Sequence, residues 1–230
     1  MYSYLTSGRS GSRWIVLKSS AIVVTAFACL TLLISCQPKT AKKMSYGSFE
    51  DGVYSHDYLG FSLRLPNGWH IQSEAQLQAQ TKMGQDLIAG DDELLKRQMK
   101  ASEQQSVSLF SVFQHPIGKT PDFNPSISGV AEQVSLASGV KSGADYHKFA
   151  KDLLAKGQMD YSFPTPVYSI SLGGKNFDVL HAEINFQGVV IRQKYYAFLI
   201  EDYVLLFVTS YGNDQQDKML ESILQEIKFS

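Results

Sequence analysis

The sequence predicts an α+β domain: one antiparallel sheet of about six or seven strands with helices on both faces, an α/β/α sandwich. Two observations predict it. Residues 165–211 hold four extended runs separated by short turns, the pattern of an antiparallel meander. Two of these runs, "YYAFLI" (195–200) and "YVLLFV" (203–208), are apolar at consecutive positions. Because successive strand residues point to opposite faces, such a sheet needs cover on both sides.

Three strands are predicted before the meander. In "YLGFSLRLPNGW" (58–69), apolar and polar side chains alternate until a Pro-Asn-Gly turn stops the strand. "SVSLFSVFQ" (106–114) is predicted as the second strand. "ISGVAEQVS" (127–135) is ambiguous, and a strand is slightly preferred there.

A helical region is predicted between the first two of these strands, over residues 73–105. Ser73 and Gln76 have the spacing of a capping box, which marks a helix start. The apolar stripe that follows is intermittent. It fits two helices broken near Gly84 or Gly90, or one irregular helix.

Two further helices have clearer apolar stripes. Ser142 is placed to cap a helix that runs to Lys156, and Gly157 is placed to end it. "NDQQDKMLESILQEI" (213–227) carries its apolar residues on one side and follows the last strand. These two helices and the first helical region are expected to cover the sheet.

The meander itself is defined by its turns, which have the length of two-residue hairpin loops. The turns are Gly173-Gly174, Gln187-Gly188 and Glu201-Asp202, and the strands between them are 165–172, 175–186, 189–200 and 203–211.

The first 35 residues predict an export signal. They contain Arg9, Arg13 and Lys18 and no acidic residue, and they end in the 14-residue uncharged apolar run "AIVVTAFACLTLLI". A membrane-spanning helix needs about 20 apolar residues, so this run is short for a permanent anchor. A basic region followed by a short apolar core is the build of a secretory signal.

The apolar run ends at "LISC" (33–36), which resembles the lipobox of bacterial lipoproteins. The resemblance implies cleavage before Cys36 and attachment of a diacylglycerol to its sulfur as a thioether. The alternatives are an ordinary signal with a chance cysteine and an uncleaved anchor. The predicted organisation is a signal over 1–35, a polar tether over 36–52 and a single domain over 53–230.

The expected location is the cell envelope, with the chain held on a membrane by its lipid. Gln37 stands where lipoproteins retained at the inner membrane of enteric bacteria carry Asp. If the organism has an outer membrane, the protein is expected there, facing the periplasm.

Charge and cysteine content exclude several classes of function. The mature chain has 18 Lys and Arg against 22 Asp and Glu, without the basic stripe that nucleic-acid binding requires. The chain's two cysteines are Cys29, which is removed with the signal, and Cys36, which is lipidated. The predicted domain therefore has neither a disulfide nor a thiol nucleophile.

No motif predicts an active site, a metal site or a cofactor. The five histidines lack metal-ligand spacing, and the acids of residues 91–93 fit the negative first turn of a helix better than a calcium loop. The glycines of "SLGGK" fit a hairpin turn rather than a phosphate-binding loop. One alternative is a hydrolase with dispersed groups, for which His56, Asp57 and His181 would have to converge.

A further alternative is a lipoprotein that binds a small ligand or a glycan. Trp69, Tyr195 and Tyr196 would then line a groove on which a sugar or an aromatic ring stacks. Aromatic residues in strands are more often part of the core.

Three segments together resemble the PsbP-like superfamily: "LGFSLRLPNGW", "ISLGGKNFDVLHAEI" and "YVLLFVTSYGNDQQDKMLESILQEIKF". The resemblance extends over most of residues 54–229. It implies an antiparallel sheet between helices and a function in binding other macromolecules, and it transfers no functional residue. We therefore predict a monomeric, membrane-tethered, non-enzymatic domain whose partner is another envelope protein.

Overall fold

The computed structural model describes residues 44–103, 105–119, 123–134, 139–186 and 188–230. The predicted signal and Cys36 lie outside these ranges. All strand pairs that the structure describes are antiparallel. No helix in the described ranges has both the length and the apolar character needed to cross a bilayer.

The described elements confirm the α+β class. In chain order they are β1 (Ser48–Glu50), β2 (Val53–His56), β3 (Phe61–Arg64), β4 (His70–Ile71), α1 (Glu74–Ala89), α2 (Glu93–Glu103), β5 (Ser106–Phe113), β6 (Ser126–Gln133), α3 (Gly143–Lys156), β7 (Asp160–Ser162), β8 (Tyr168–Leu172), β9 (Lys175–Phe186), β10 (Val189–Ile200), β11 (Tyr203–Tyr211), α4 (Asp214–Leu224) and β12 (Lys228–Phe229).

The main sheet has eight strands in the order β4-β5-β6-β11-β10-β9-β7, and β8 also pairs with β9. The predicted C-terminal meander is its β8–β11 half. Gly173 and Gly174 join β8 to β9 with φ values of 54° and 77°, a backbone region that glycine enters without steric cost. The segment 127–135, ambiguous in sequence, is mostly strand because β6 pairs with β5 on one side and β11 on the other.

Helices α1, α2 and α3 cover one face of the main sheet. Val204, Leu206 and Val208 of β11 pack there against apolar residues of all three helices. The alternate residues Leu205 and Phe207 point to the other face. All four of the residues predicted to be buried, 205–208, are at most 1% exposed, which confirms that both faces are covered.

The second face is covered by helix α4 together with a separate four-stranded sheet of order β1-β2-β3-β12. The sequence predicted a single sheet of six or seven strands, whereas the structure has two sheets, of eight and four strands. The reason is the pairing of β3 with the C-terminal strand β12, a contact between chain ends that no local pattern reveals.

The capping signals of the first helical region act as predicted. The Ser73 side chain accepts the Gln76 N–H, and the Gln76 side chain accepts the Ser73 N–H, which completes a capping box. The region is two helices, and the break lies at Gly90, where φ is 52°, while Gly84 lies inside α1. Asp92 then accepts backbone N–H groups of the first turn of α2.

Helix α3 also begins and ends where predicted. The Ser142 Oγ accepts the Asp145 N–H at 3.1 Å, and Gly157 forms the C-cap. At Gly143, a Cβ would collide with the carbonyl oxygen of Ala197. The absence of a side chain at Gly143 therefore lets the start of α3 lie directly on β10.

The predicted tether boundary is wrong in its second half. Residues 44–52 belong to the folded domain: β1 pairs with β2, and Met44 is 8% exposed. The ring of His56 forms a hydrogen bond with the Ser45 carbonyl, with 2.9 Å between Nε2 and the oxygen. A short polar edge strand resembles a linker in sequence because its few apolar residues acquire partners only in the folded state.

The buried histidine of α3 predicts a loss of stability in acid. His147 is 0% exposed, and burial lowers the pKa of its ring, although hydrogen bonding to Asp178 opposes the shift. An unfolded histidine is protonated below about pH 6.5. Below that pH the folded state binds fewer protons than the unfolded state. The contribution of neutral His147 to the free energy of unfolding is therefore complete above about pH 6.5, and it is lost as the pH falls through the lower pKa of folded His147.

We expect His147→Gln to reduce the change in unfolding free energy between pH 7 and pH 5, measured by urea denaturation at each pH. His70→Gln removes an exposed histidine and serves as the control. If both variants keep the wild-type pH dependence, His147 does not make this contribution.

Candidate functional site

A pocket opens between strand β8 and helix α4, on the face of the main sheet that carries the small sheet. Its volume is about 120 Å³. A wholly apolar cavity of about 150 Å³ holds benzene, so this pocket has room for a group of about four or five heavy atoms. It is lined by Ile170, Leu172, Tyr196, Glu221, Leu224 and Gln225.

The two walls of the pocket are positioned by local structure. The Gly173-Gly174 turn folds β8 back onto β9 and brings Leu172 opposite Lys175. On the other side, the Asn213 side chain caps α4 by accepting the Gln216 N–H at 3.0 Å. The helix then crosses the sheet with its apolar side against the core.

Lys194 of β10 joins the sheet to α4 beside this pocket. Its Nζ lies 2.7 Å from Asp217 Oδ2 and 2.7 Å from Glu221 Oε1, and it stands over the ring of Tyr211. Asp217 and Glu221 are one helical turn apart, so a single ammonium reaches both. The Lys194 side chain is 11% exposed, which makes this pair of contacts largely buried.

These contacts keep Lys194 charged. Burial alone would lower its pKa, but the hydrogen bonds to Asp217 and Glu221 outweigh burial and raise the pKa above its usual value. The lysine is therefore protonated at neutral pH and is not available as a nucleophile or a base. One positive charge faces two negative ones, which leaves an excess of one negative charge at this position.

The polar residues beside Lys194 in the sheet add no further net charge. Arg192 and Glu183, two cross-strand pairs along, bond each other at 3.2 Å. His181 lies opposite Lys194 in the β9–β10 register, with its Nε2 3.3 Å from the Tyr211 hydroxyl. Burial, and then the charge of Lys194, lower the pKa of His181, so its ring is neutral near pH 7.

The hydroxyl of Tyr196 is a buried polar group at the pocket. Tyr196 is 1% exposed, and its hydroxyl is closed to solvent beside the side chain of Thr209. Burial raises the pKa of this hydroxyl, as do the charges of Glu221 and Asp217, and the Thr209 side chain opposes the shift. The hydroxyl stays protonated and is able both to donate and to accept.

The predicted aromatic groove does not form. Tyr195 and Tyr196 are adjacent in β10 and therefore point to opposite faces, where each is buried in a different core cluster. Trp69 packs against the cluster that contains Tyr196, but it does not line the pocket. Of the three predicted residues, Tyr196 alone contributes to the pocket between β8 and α4.

The histidines considered as a dispersed site are engaged in separate local contacts. His56 bonds the Ser45 carbonyl and the Leu59 N–H in the small sheet, whereas His181 contacts Tyr211 of the main sheet. Within the described ranges, no three His, Cys, Asp or Glu side chains form a group that could hold a metal ion.

Comparison with known proteins identifies similar structures but no family. No protein-family model matches the chain, and no curated protein matches it. The cyanobacterial PsbP (CyanoP) of Synechocystis sp. PCC 6803 is similar in structure, with 12% identity, a TM-score of 0.46, and coverage of 86% of this chain and 99% of that chain.

Two other solved structures are similar over smaller parts. LpqN of Mycobacterium tuberculosis, described as involved in cell envelope biogenesis, has 13% identity, a TM-score of 0.42, and coverage of 74% of this chain and 83% of that chain. PA94 of Pseudomonas aeruginosa, a protein of unknown function described as a putative regulator, has 13% identity, a TM-score of 0.37, and coverage of 52% and 78%.

Sequence reasoning missed Lys194 and its partners. The available signal was Lys194, a charged residue directly before the apolar run 195–200 of a predicted strand, since a charge in a buried strand must be paired. The next helix carries two acids four residues apart, Asp217 and Glu221, which are candidates to pair with that lysine.

Proposed function

We propose that this protein is a lipid-anchored accessory protein of the bacterial cell envelope, which binds another envelope protein rather than turning over a substrate. The observation that carries the proposal is "LISC" at the end of a short, uncharged apolar run. Acyl chains contribute about 0.8 kcal/mol per buried CH₂, and stable anchoring takes more than one chain. A diacylglycerol on Cys36 supplies two.

The length of the tether supports a partner at the membrane. The folded domain begins by Met44, which is already buried, so the eight peptide units from Cys36 onward separate the lipid from the fold. Fully extended, they span about 28 Å. A lipidated domain would therefore stay close to the bilayer surface, facing the periplasm if the organism has an outer membrane.

Binding is supported over catalysis by the chemistry of the pocket. Its polar groups are a phenol, a carboxylate and an amide, from Tyr196, Glu221 and Gln225. Covalent catalysis needs a nucleophile with a base in hydrogen-bonding reach, and Lys194 beside the pocket is held in its charged form.

The pocket gives a second candidate, a lipoprotein that binds a small ligand. At about 120 Å³ the pocket is smaller than the range of about 300–1,000 Å³ typical of sites for drug-sized ligands, so its ligand would be a small group of a few heavy atoms. Cross-linking in intact cells followed by affinity purification separates the two candidates. Recovery of one envelope protein supports the protein-binding candidate, provided that this recovery is lost when the chain is released from the membrane. Recovery of no envelope protein supports the ligand-binding candidate.

The anchor itself is tested by Cys36→Ala. We expect this variant to accumulate as an unprocessed precursor that takes up no labelled fatty acid, because the thioether needs the thiol of Cys36. Cys29→Ala removes the other cysteine of the chain and should leave labelling and maturation unchanged. Normal processing and labelling of Cys36→Ala would refute the proposed anchor.

A further inference from the structure

The pocket between β8 and α4 has rigid aliphatic walls. Leu172 and Leu224 are at most 1% exposed, so their positions are set by the core rather than by solvent. Ile170 packs against the same core from the pocket mouth. A short hydrocarbon chain fits these walls, whereas an ordered polar ligand would leave its hydrogen-bonding groups facing them without partners.

The rim of the pocket carries the excess negative charge. Glu221 lines the pocket, is 43% exposed, and bonds Lys194 through Oε1. The second oxygen of Asp217, Oδ1, is buried and has no hydrogen-bond partner among the described residues. Since Lys194 is shared between both carboxylates, a second cation would complete the charge balance, and an anion would be repelled.

An exposed aromatic residue extends this preference. Tyr168 is 39% exposed and lies two residues before Ile170 in β8, so the two side chains lie on the same face of the strand. A phenol ring at this position favours a cation over its face.

From these features we propose that the pocket binds an alkylammonium group, a primary amine at the end of a chain of about three or four carbons. The hydrocarbon lies between Ile170, Leu172 and Leu224, and the ammonium donates hydrogen bonds to the exposed carboxylate of Glu221. This assignment does not depend on the envelope partner proposed above.

The test compares three ligands of equal length on the full-length protein purified from cells: n-butylammonium, 1-butanol and butyrate. Saturation-transfer NMR measures their binding. We expect n-butylammonium to bind most tightly and butyrate not to bind. Equal binding of 1-butanol and n-butylammonium, or tighter binding of butyrate, would overturn the assignment.

Three variants locate the binding. Ile170→Trp fills the pocket and should abolish binding, and Glu221→Gln should weaken n-butylammonium about tenfold or more, because a charge-assisted hydrogen bond is lost. Glu226→Gln makes the same charge change on an exposed residue outside the pocket and should leave binding within about twofold. Unchanged binding in Ile170→Trp, or equal losses in both glutamate variants, would place the cation elsewhere.

The fold of each variant is checked by its thermal unfolding, and Tyr168→Leu gives an independent result because it removes the aromatic face and keeps an apolar side chain. We expect it to weaken n-butylammonium several-fold while leaving 1-butanol unaffected. A fourth ligand, lysine blocked at both ends, identifies the source of the amine. Binding at least as tight as that of n-butylammonium indicates a protein side chain, and its exclusion while n-butylammonium still binds indicates a free small amine.

Discussion

Phe207→Ala should lower the free energy of unfolding by about 3–5 kcal/mol. Phe207 is 0% exposed on β11, a strand with neighbours on both sides in the main sheet. Its ring lies 5.5 Å from that of Phe61 and 5.8 Å from that of Phe177, measured between ring centroids. The side chain therefore joins the small sheet to the main sheet, and its loss leaves a cavity where the two layers meet.

Urea denaturation followed by circular dichroism measures this effect. Because domains of this size are stable by about 5–15 kcal/mol, this loss is a large share of the total and should lower the urea midpoint clearly. Phe163→Ala, a partly buried residue at the margin of the other core cluster, serves as the control and should cost less. A cost below about 1 kcal/mol for Phe207→Ala would mean that the two sheets are not held together at this position.

Lys194→Ala should cost about 3 kcal/mol, the second large effect, because it leaves two carboxylates without their shared cation. The cost should arise mainly at Asp217, whose side chain is 20% exposed. At Glu221, which is 43% exposed, water is able to replace the lysine. The expected consequence is loosening of α4 from the sheet as well as lower stability.

Lys148→Ala is the matched control for this prediction. Lys148 bonds Asp145 at 2.9 Å, close to the Lys194 distances, but its side chain is 75% exposed. Its loss should cost less than about 1 kcal/mol. Replacing Lys194, Asp217 and Glu221 together by Met, Asn and Gln should restore most of the stability, since no unpaired charge remains. Equal costs for the two single lysine variants would show that burial does not strengthen the Lys194 contacts.

Local chemistry accounts for the elements that could be predicted. The Ser142 cap, the Gly157 end of α3 and the Gly173-Gly174 turn each depend on residues within a few positions of one another. The apolar run 203–208 carried more than local information. Since its consecutive apolar residues point to both faces, cover on both sides was required before any helix was placed.

The candidate site was beyond such reasoning because its contacts join distant parts of the chain. Lys194 bonds residues 23 and 27 positions away, on an element that reaches it only after the chain has passed through β11. The groove proposed from Trp69, Tyr195 and Tyr196 failed for a local reason. Tyr195 and Tyr196 are adjacent in one strand, so their rings lie on opposite faces of the sheet.

The sequence by itself determined the α+β class, most helix and turn boundaries and the two-sided burial of β11, and it predicts the lipid anchor at Cys36. Tertiary structure alone decided that 44–52 belongs to the fold and that β3 pairs with β12. It also decided that β8 and α4 enclose a pocket. The physical reason is that capping, turns and periodicity act over a few residues, whereas strand pairing and ion pairing between elements depend on how the whole chain closes.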